Sequence, residues 1–373
     1  MNYLSSKLRF KKSGINSSNS KKKKLINNIQ RNFNQIQKNN LQNKFIILNF
    51  LSNHKIPFFS ENFELLNYIN SGSSGIVFKG FDKKNPNYYL CFKFLIQTLR
   101  TTKKNKIKKQ TLKEINIHNK LKNNNIINYY NYIYLNKIGC IVMEYSELGD
   151  LEHFHKILRA KRYFSESLLA FITFQILQGL SFLTRSKIIH MDIKPQNLLI
   201  DNNLNIKITD FSASFSYENY KKNQKILLPF SGTRFYMSPE VLSNESIDYM
   251  YCNKIDLYSL GVVLYYLAFE QFPYGLDYSY KVNFTLILKK IKGCKLTFPE
   301  NRLYSPLFLK FINRLLEKDI TKRINIYNAL NDPWIKGAEL LFKEKEKIDD
   351  IEIFLINIIA DNFRCFNEYI KSN

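Results

Sequence analysis

The sequence predicts an α+β fold in two lobes, a small strand-rich lobe followed by a larger, mainly helical one. Two observations predict it. Between Phe63 and about Tyr134, short runs rich in Ile, Val, Phe and Tyr are broken by turn residues. After Tyr145 the apolar residues fall at helical spacing instead. The 373 residues could hold two or three average domains, and a bilobal body flanked by tails fits that length equally well.

Residues 1–58 are polar and rich in Asn, Lys and Ser. Such a stretch buries too little apolar surface to offset chain entropy, so a disordered tail is expected, with the patch Phe45–Leu51 available to touch the first lobe. The body is expected over 59–335, divided into a small lobe (59–143) and a large lobe (144–335). Ile76–Phe78 and Tyr89–Leu95 read as strands, with Asn85-Pro86-Asn87 as the turn between them. Arg100–Lys109 reads as a solvated loop. Thr111–Lys122 then reads as one helix burying Leu112, Ile115, Ile117 and Leu121. Ser165 is placed to cap a long helix running through Leu183. Asp256–Phe269 is apolar on nearly all sides, the pattern of a core helix. Residues 336–373 look helical. Ile351, Phe354, Leu355, Ile358 and Ile359 form one apolar face there, which packs on the large lobe or, in a second reading, on a partner helix.

A hydrophobic share of 45%, with 30 Phe and 24 Tyr, is ample for a large core. The net charge of +25 is unevenly spread, because residues 1–60 hold twelve Lys or Arg and no Asp or Glu. Basic balance of this kind can mean nucleic acid or anionic lipid, but abundant Asn, Lys, Ile and Tyr point rather to general compositional bias. The run Lys21–Lys24 is a solvated stretch, a nuclear-localisation patch or part of a transit peptide, although the segment is not Arg-rich as transit peptides typically are. Five scattered cysteines, with no C-x-x-C pair, predict neither a disulfide frame nor a zinc site. A reducing compartment follows as the expectation, cytoplasm or nucleus. No secretory signal is recognisable at the N-terminus, and the apolar run Leu260–Phe269 is too short to span a bilayer, so no membrane span is expected.

The most informative stretch is His190-Met191-Asp192-Ile193-Lys194-Pro195-Gln196-Asn197, followed thirteen residues later by Asp210-Phe211-Ser212. Phosphoryl transfer needs one carboxylate to orient a hydroxyl, one cation near the moving group and two oxygen ligands for magnesium. Asp192, Lys194, Asn197 and Asp210 supply these in the order and spacing of the H-R-D-x-K-x-x-N … D-F-G signature. Over roughly residues 60–335 the chain resembles the eukaryotic protein kinases, and Lys194 resembles their serine/threonine-specific members. The resemblance implies a bilobal protein-kinase fold, with a small antiparallel sheet lobe carrying one pairing helix. It also implies ATP and Mg2+ as cofactors and a protein substrate bearing a Ser or Thr acceptor.

Residue by residue, Ile69-Asn70-Ser71-Gly72-Ser73-Ser74-Gly75-Ile76-Val77 resembles the glycine-rich loop that covers ATP phosphates, where missing side chains let the backbone come close. Lys93 would bridge two phosphates, held by Glu114. Cys140–Ser146 resembles the last small-lobe strand and the hinge: backbone groups of Glu144 and Ser146 would meet the adenine edge, with Met143 at the rear. Asp150 would reach the ribose, cap a helix, or both. Asp192 would act as base, Lys194 would steady the γ-phosphate, Thr233 would hydrogen-bond Asp192 and Lys194, and Asn197 and Asp210 would ligate magnesium. His190 would pack on Phe211, Glu240 would pair with Arg323, and Asp256 would accept backbone bonds from the catalytic loop.

Several positions depart from the family pattern. Asn70 stands for the first Gly, Cys91 for Ala, Met191 for Arg, Ser212 for Gly and Tyr258 for Trp, while Pro229 sits where a phosphoacceptor is common. The Arg replaced by Met191 normally receives an activation-loop phosphate, so activity independent of that phosphate is expected. Three functions compete: an active serine/threonine kinase, a pseudokinase scaffold motivated by Asn70, Met191 and Ser212, and nucleic-acid binding by the basic tail.

Overall fold

The computed structural model describes residues 61–72, 75–95, 104–135, 138–160, 164–277, 283–299, 304–346 and 354–355. The predicted tail, the patch Phe45–Leu51, the loop positions Ser73 and Ser74, Cys365, and Ile351, Ile358 and Ile359 lie outside these residues.

The small lobe is an antiparallel five-stranded sheet in the order β1-β2-β3-β5-β4. It comprises β1 (Phe63–Gly72), β2 (Gly75–Asp82), β3 (Asn85–Leu95), β4 (Tyr129–Leu135) and β5 (Ile138–Glu144). The turn between β2 and β3 falls at Lys83-Lys84, and Asn85-Pro86-Asn87 opens the strand instead of forming the turn. Pro86 is tolerated because the register slips beside it, between Phe81 and Asp82, where an imino nitrogen is not needed in the ladder. Helix α1 (Lys104–His118) starts earlier than its apolar residues indicate, taking up part of the expected loop Arg100–Lys109, and it ends four residues sooner. Its buried face is Thr111, Glu114, Ile117 and His118, a 3–4 spacing that leaves Leu112 43% exposed. A carboxylate and an imidazole therefore occupy the inward stripe, and hydrophobicity alone misplaced it.

The large lobe starts with α2 (Leu151–Ala160) and α3 (Glu166–Arg185). Ser165 caps α3, its Oγ accepting from the N–H of Leu168 at 3.2 Å, an arrangement that contributes about 1 kcal/mol. Short antiparallel pairs then position the segment 190–214. β6 (Ile188–Ile189) pairs with β9 (Phe215–Ser216), and β7 (Leu198–Ile200) pairs with β8 (Ile206–Ile208). Farther on, β10 (Lys225–Leu227) pairs with β11 (Ser246–Asp248), flanking the short helix α4 (Pro239–Leu242). Helix α5 (Ile255–Phe269) is buried on all sides save Tyr266 and forms the centre of the lobe. Around it lie α6 (Phe284–Gly293), α7 (Pro306–Leu315), α8 (Ile326–Leu330) and α9 (Pro333–Lys345).

Of the expected C-terminal face, Phe354 and Leu355 are buried, and the Phe354 ring lies 5.2 Å from that of Phe171 on α3. Among the described residues, α3 is long and apolar enough to cross a membrane, but 78% of that window is buried against the rest of the lobe.

Candidate active site

A cavity of about 510 Å3 opens between the sheet and the large lobe. Its roof and floor are apolar, from Ile69, Val77, Cys91, Met143 and Leu199. Asn70, Ser71 and Gly75 border it, while Ile76 turns to the opposite side of the sheet and packs against the small-lobe core cluster that includes Phe78. Alternation along β2 dictates this: with Gly75 and Val77 facing the cleft, the residue between them cannot. Asn70 is still within β1, opposite Val77, and its side-chain oxygen accepts from the N–H of Ser71 at 2.8 Å. Burial pushes the Cys91 thiol up to about 12, so it is neutral wall material rather than a nucleophile.

Lys93 comes down from β3 and meets two carboxylates, Glu114 Oε1 at 3.0 Å and Asp210 Oδ1 at 2.9 Å. Burial by itself pulls the ammonium pKa down. The charges of Asp210 and Glu114, and the hydrogen bonds to both, outweigh that and leave it above the ordinary lysine value. Asp210 shows the complementary balance: burial raises its pKa, but Lys93 holds the carboxyl well below the usual carboxylate range. Glu114 is raised instead, by burial that Lys93 only partly offsets. Lys93 Nζ and the N–H of Ser212 both bind Asp210 Oδ1, so Oδ2 is left for a cation.

The opposite side of the cleft is a second closed set. Asp192 Oδ1 accepts from the N–H of Thr233 at 2.7 Å, and Oδ2 accepts from Lys194 Nζ at 2.7 Å and from Asn197 Nδ2 at 2.9 Å. Lys194 also donates to Thr233 Oγ1 at 2.7 Å. Asn197 donates again to the Asp192 carbonyl, so its amide nitrogen is committed and its oxygen is the atom that could meet a cation. Gly232 closes this corner with φ +108, and a Cβ there would collide with the Met191 carbonyl oxygen.

The supports beneath come from far along the chain. Asp256, at the start of α5, accepts from the N–H groups of His190 (2.7 Å) and Met191 (2.9 Å). Met191 itself is left-handed (φ 69) and 4% exposed. His190 lies 5.0 Å from the Phe211 ring, and its Nε2 donates to the Thr209 carbonyl at 2.9 Å. Glu240 and Arg323 pair through the two terminal guanidinium nitrogens, at 2.6 and 2.9 Å. Tyr258 lies under that guanidinium at 4.9 Å.

At the hinge, Asp150 caps α2, accepting from His153 N–H at 2.9 Å, and also borders the cavity. Ser146 borders it too. The Glu144 carboxylate is occupied elsewhere, bound by Asn128 and paired with Lys207 at 3.0 Å, and its backbone N–H donates to the Asn128 carbonyl at 2.9 Å.

Sequence reasoning missed His118. Four residues after Glu114 and on the same face of α1, it stacks between Phe211 (4.9 Å) and Tyr129 (5.6 Å), while its Nε2 donates to the Ile127 carbonyl at 2.8 Å. Its i+4 spacing from Glu114 was the available signal. A continuous column His190–Phe211–His118–Tyr129 thus joins the lobes beside the site. Burial lowers the His118 pKa from 6.5 to about 4. Unfolded, the imidazole titrates near 6.5, so below that pH the unfolded chain takes up a proton that the folded chain refuses. Stability on this account is complete above pH 6.5 and is lost progressively towards pH 4, by about 3 kcal/mol in all. Thermal melts of His118→Leu across that window are expected to be flatter than those of the native chain; parallel curves would remove this role.

With the geometry established, comparison with known proteins decides the family. The sequence pattern described as "Protein kinase domain" matches residues 63–335. This chain belongs to the protein kinase family. It is similar to the MAP kinase kinase MKK1/SSP32 of Saccharomyces cerevisiae, with 31% identity over 288 residues, covering 74% of this chain and 54% of that protein. The MAP kinase kinase skh1/pek1 of Schizosaccharomyces pombe is 31% identical over 269 residues, covering 68% and 69%. An Aurora kinase of Dictyostelium discoideum is 29% identical over 276 residues, covering 74% and 66%. The chain spans about half to two thirds of the length of these relatives.

Proposed function

We propose that this protein kinase transfers the γ-phosphoryl group of ATP, with magnesium, to serine or threonine hydroxyls of protein substrates. The observation that carries the reading is a pair of charge sets at one cavity: Glu114, Lys93 and Asp210 line it together, and so do Lys194 and Thr233, both of which bind Asp192. The cavity volume is within the range of small-molecule sites. The remaining oxygens of Asn197 and Asp210 fit a hard cation that keeps some of its waters. Bound ATP and magnesium supply the transferable group and neutralise part of its charge.

The residues of this chain do the rest. Lys93, kept protonated by two carboxylates, offers a fixed cation to phosphate oxygens. Asp192, held by three donors, takes the proton of the acceptor hydroxyl as its oxygen bonds to phosphorus and the bond to the leaving diphosphate breaks. Lys194 offsets the charge that develops there. Selection of Ser or Thr is supported by the Lys194–Thr233 contact and by the name of one further similar protein, the serine/threonine-protein kinase dst2 of Dictyostelium discoideum, 29% identical over 291 residues. Magnesium-dependent label transfer to a protein substrate, lost in Asp192→Asn, tests the assignment. A non-catalytic scaffold is the less favoured reading, since each departure that motivated it is accommodated: Asn70 continues β1 opposite Val77, Met191 is buried, and Ser212 adopts no left-handed conformation.

We also propose activity without activation-segment phosphorylation. β10 ties the segment to β11, with Ile226 and Ile247 buried, and Tyr217 meets Tyr249 edge-on at 5.2 Å. These contacts restrain the path that a phosphate would otherwise fix. The Ser231→Ala and Tyr220→Ala variants are expected to retain activity within about twofold. A loss restored by acidic substitutes would refute this. A cytoplasmic or nuclear site of action is proposed too, consistent with the free thiols of Cys91, Cys140, Cys252 and Cys294, and cell fractionation checks it.

A further inference from the structure

We infer that Lys79 is a positioning residue for the nucleotide: its ammonium group clamps Tyr145 of the hinge to the strand that follows the glycine-rich loop. The inference rests on the kinase reading and adds to the same cleft a residue outside the motifs that define it. Lys79 Nζ lies 3.6 Å from the centroid of the Tyr89 ring and 4.6 Å from that of Tyr145. The two rings meet edge-on, with centroids 6.4 Å and planes 74° apart, and form a corner that the cation fills.

Strand register puts this corner at the mouth of the cleft. Across the ladder of β2 and β3, Val77 stands opposite Lys93 and Lys79 opposite Cys91. Val77, Cys91 and Lys93 line the cavity, and alternate residues of a strand share a face. Lys79 and Tyr89 therefore stand on the cavity face, farther out along their strands. Tyr145 lines the cavity itself, between Glu144 and Ser146.

The two ends of the clamp are anchored in different lobes. Lys79 shares β2 with Gly75 and Val77, which border the cavity from above. The chain just after Tyr145 is held by the large lobe. Glu147 accepts from the N–H of Asn202 at 3.3 Å, and the N–H of Leu148 donates to the Ile200 carbonyl at 3.0 Å. A contact from Lys79 to Tyr145 thus fixes the spacing between roof and hinge before a nucleotide arrives. Such preorganisation lowers the ordering cost of binding and is read as affinity.

The contact requires a cation. Ring faces carry the negative part of their quadrupole, and their pull strengthens as the cation loses water. Lys79 is half-buried; burial lowers its pKa, and the charge of Glu147 opposes that shift. A neutral side chain of similar length would fill the corner without this attraction, whereas arginine would keep it.

The test uses the full-length chain and compares Lys79→Met, Lys79→Gln and Lys79→Arg, with melting curves to confirm folding. Calorimetric titration gives Kd for ATP with magnesium and for adenosine, and label transfer to a protein substrate gives kcat and KM. Lys79→Met and Lys79→Gln are expected to raise Kd and KM for ATP about fivefold, with kcat within about twofold of native. Lys79→Arg should restore native affinity. Adenosine should weaken by the same factor as ATP, because the clamp acts at the hinge and not by attracting phosphate charge. In a Tyr145→Leu background, Lys79→Met should add no further loss, since its partner is already gone. Unchanged Kd in Lys79→Met, equal loss in Lys79→Arg, loss confined to ATP, or additive losses with Tyr145→Leu would each overturn the clamp. Asp192-dependent transfer would still uphold the kinase reading in those cases. A native chain that neither binds ATP nor transfers its phosphate overturns both.

Discussion

Asp192→Asn is expected to lower phosphate transfer by about 10²–10⁴-fold, because the acceptor hydroxyl loses the group that takes its proton. The change is nearly isosteric, so the loss would report chemistry rather than collapse. One new strain enters, since an amide nitrogen brought to either carboxylate position would face a donor: Thr233 N–H at Oδ1, or Lys194 and Asn197 at Oδ2. Part of the effect therefore comes from misorienting Lys194, which Asp192 and Thr233 share. Measured by label transfer with saturating ATP, the deficit should lie in kcat. Nucleotide binding, read as a ligand-induced rise in melting temperature, should persist because Lys93, Glu114 and Asp210 are untouched. Native-level transfer by the variant would remove Asp192 from the reaction.

Arg323→Leu is expected to be the most destabilising single substitution in the large lobe. The guanidinium is wholly buried and its partner Glu240 nearly so. It donates to both Glu240 oxygens and to the carbonyls of Glu317 and Lys254. Removing one member of a buried pair strands the other charge in a poorly polarisable interior, which costs about 3–5 kcal/mol. For a body of this size the melting temperature should fall by roughly 10 °C. The double variant Arg323→Leu with Glu240→Met should recover part of that loss, because no unpaired charge remains. If the double variant melts as low as the single one, the damage lies in the lost carbonyl contacts and not in the stranded carboxylate. Since Glu240 ends the segment that carries Thr233, activity should fall along with stability.

The catalytic corner was legible in the sequence because its parts are close in the chain. Asp192, Lys194 and Asn197 sit within six residues, and Asp210 follows soon after, so order and spacing alone brought them together. The Ser165 cap and the wholly apolar α5 were equally readable, since each depends on local chemistry. Reading failed where tertiary contact overrides the local pattern. Leu112 looked like core and is exposed, because the inward stripe of α1 is spent on Glu114 and His118. Asn85-Pro86-Asn87 looked like a turn and is strand, because a register slip absorbs the proline. Ile76 sits inside the glycine-rich motif and yet faces away from the cleft, because strand alternation fixes its side.

By itself, the sequence determined which groups are available to move a phosphoryl group, and in what order they come. Only the tertiary structure decided how they are charged and what surrounds them. Lys93 lies 117 residues from Asp210, and Phe235 lies 37 from Phe272, separations over which no periodicity or spacing carries information. In the folded cleft Asp210 and Glu114 keep Lys93 protonated against burial, burial keeps His118 neutral, and the ring of Phe235 meets those of Phe272 and Tyr266 in one stack. The physical reason is that pKa values and ring contacts depend on distance and desolvation, and both arise only when remote segments meet.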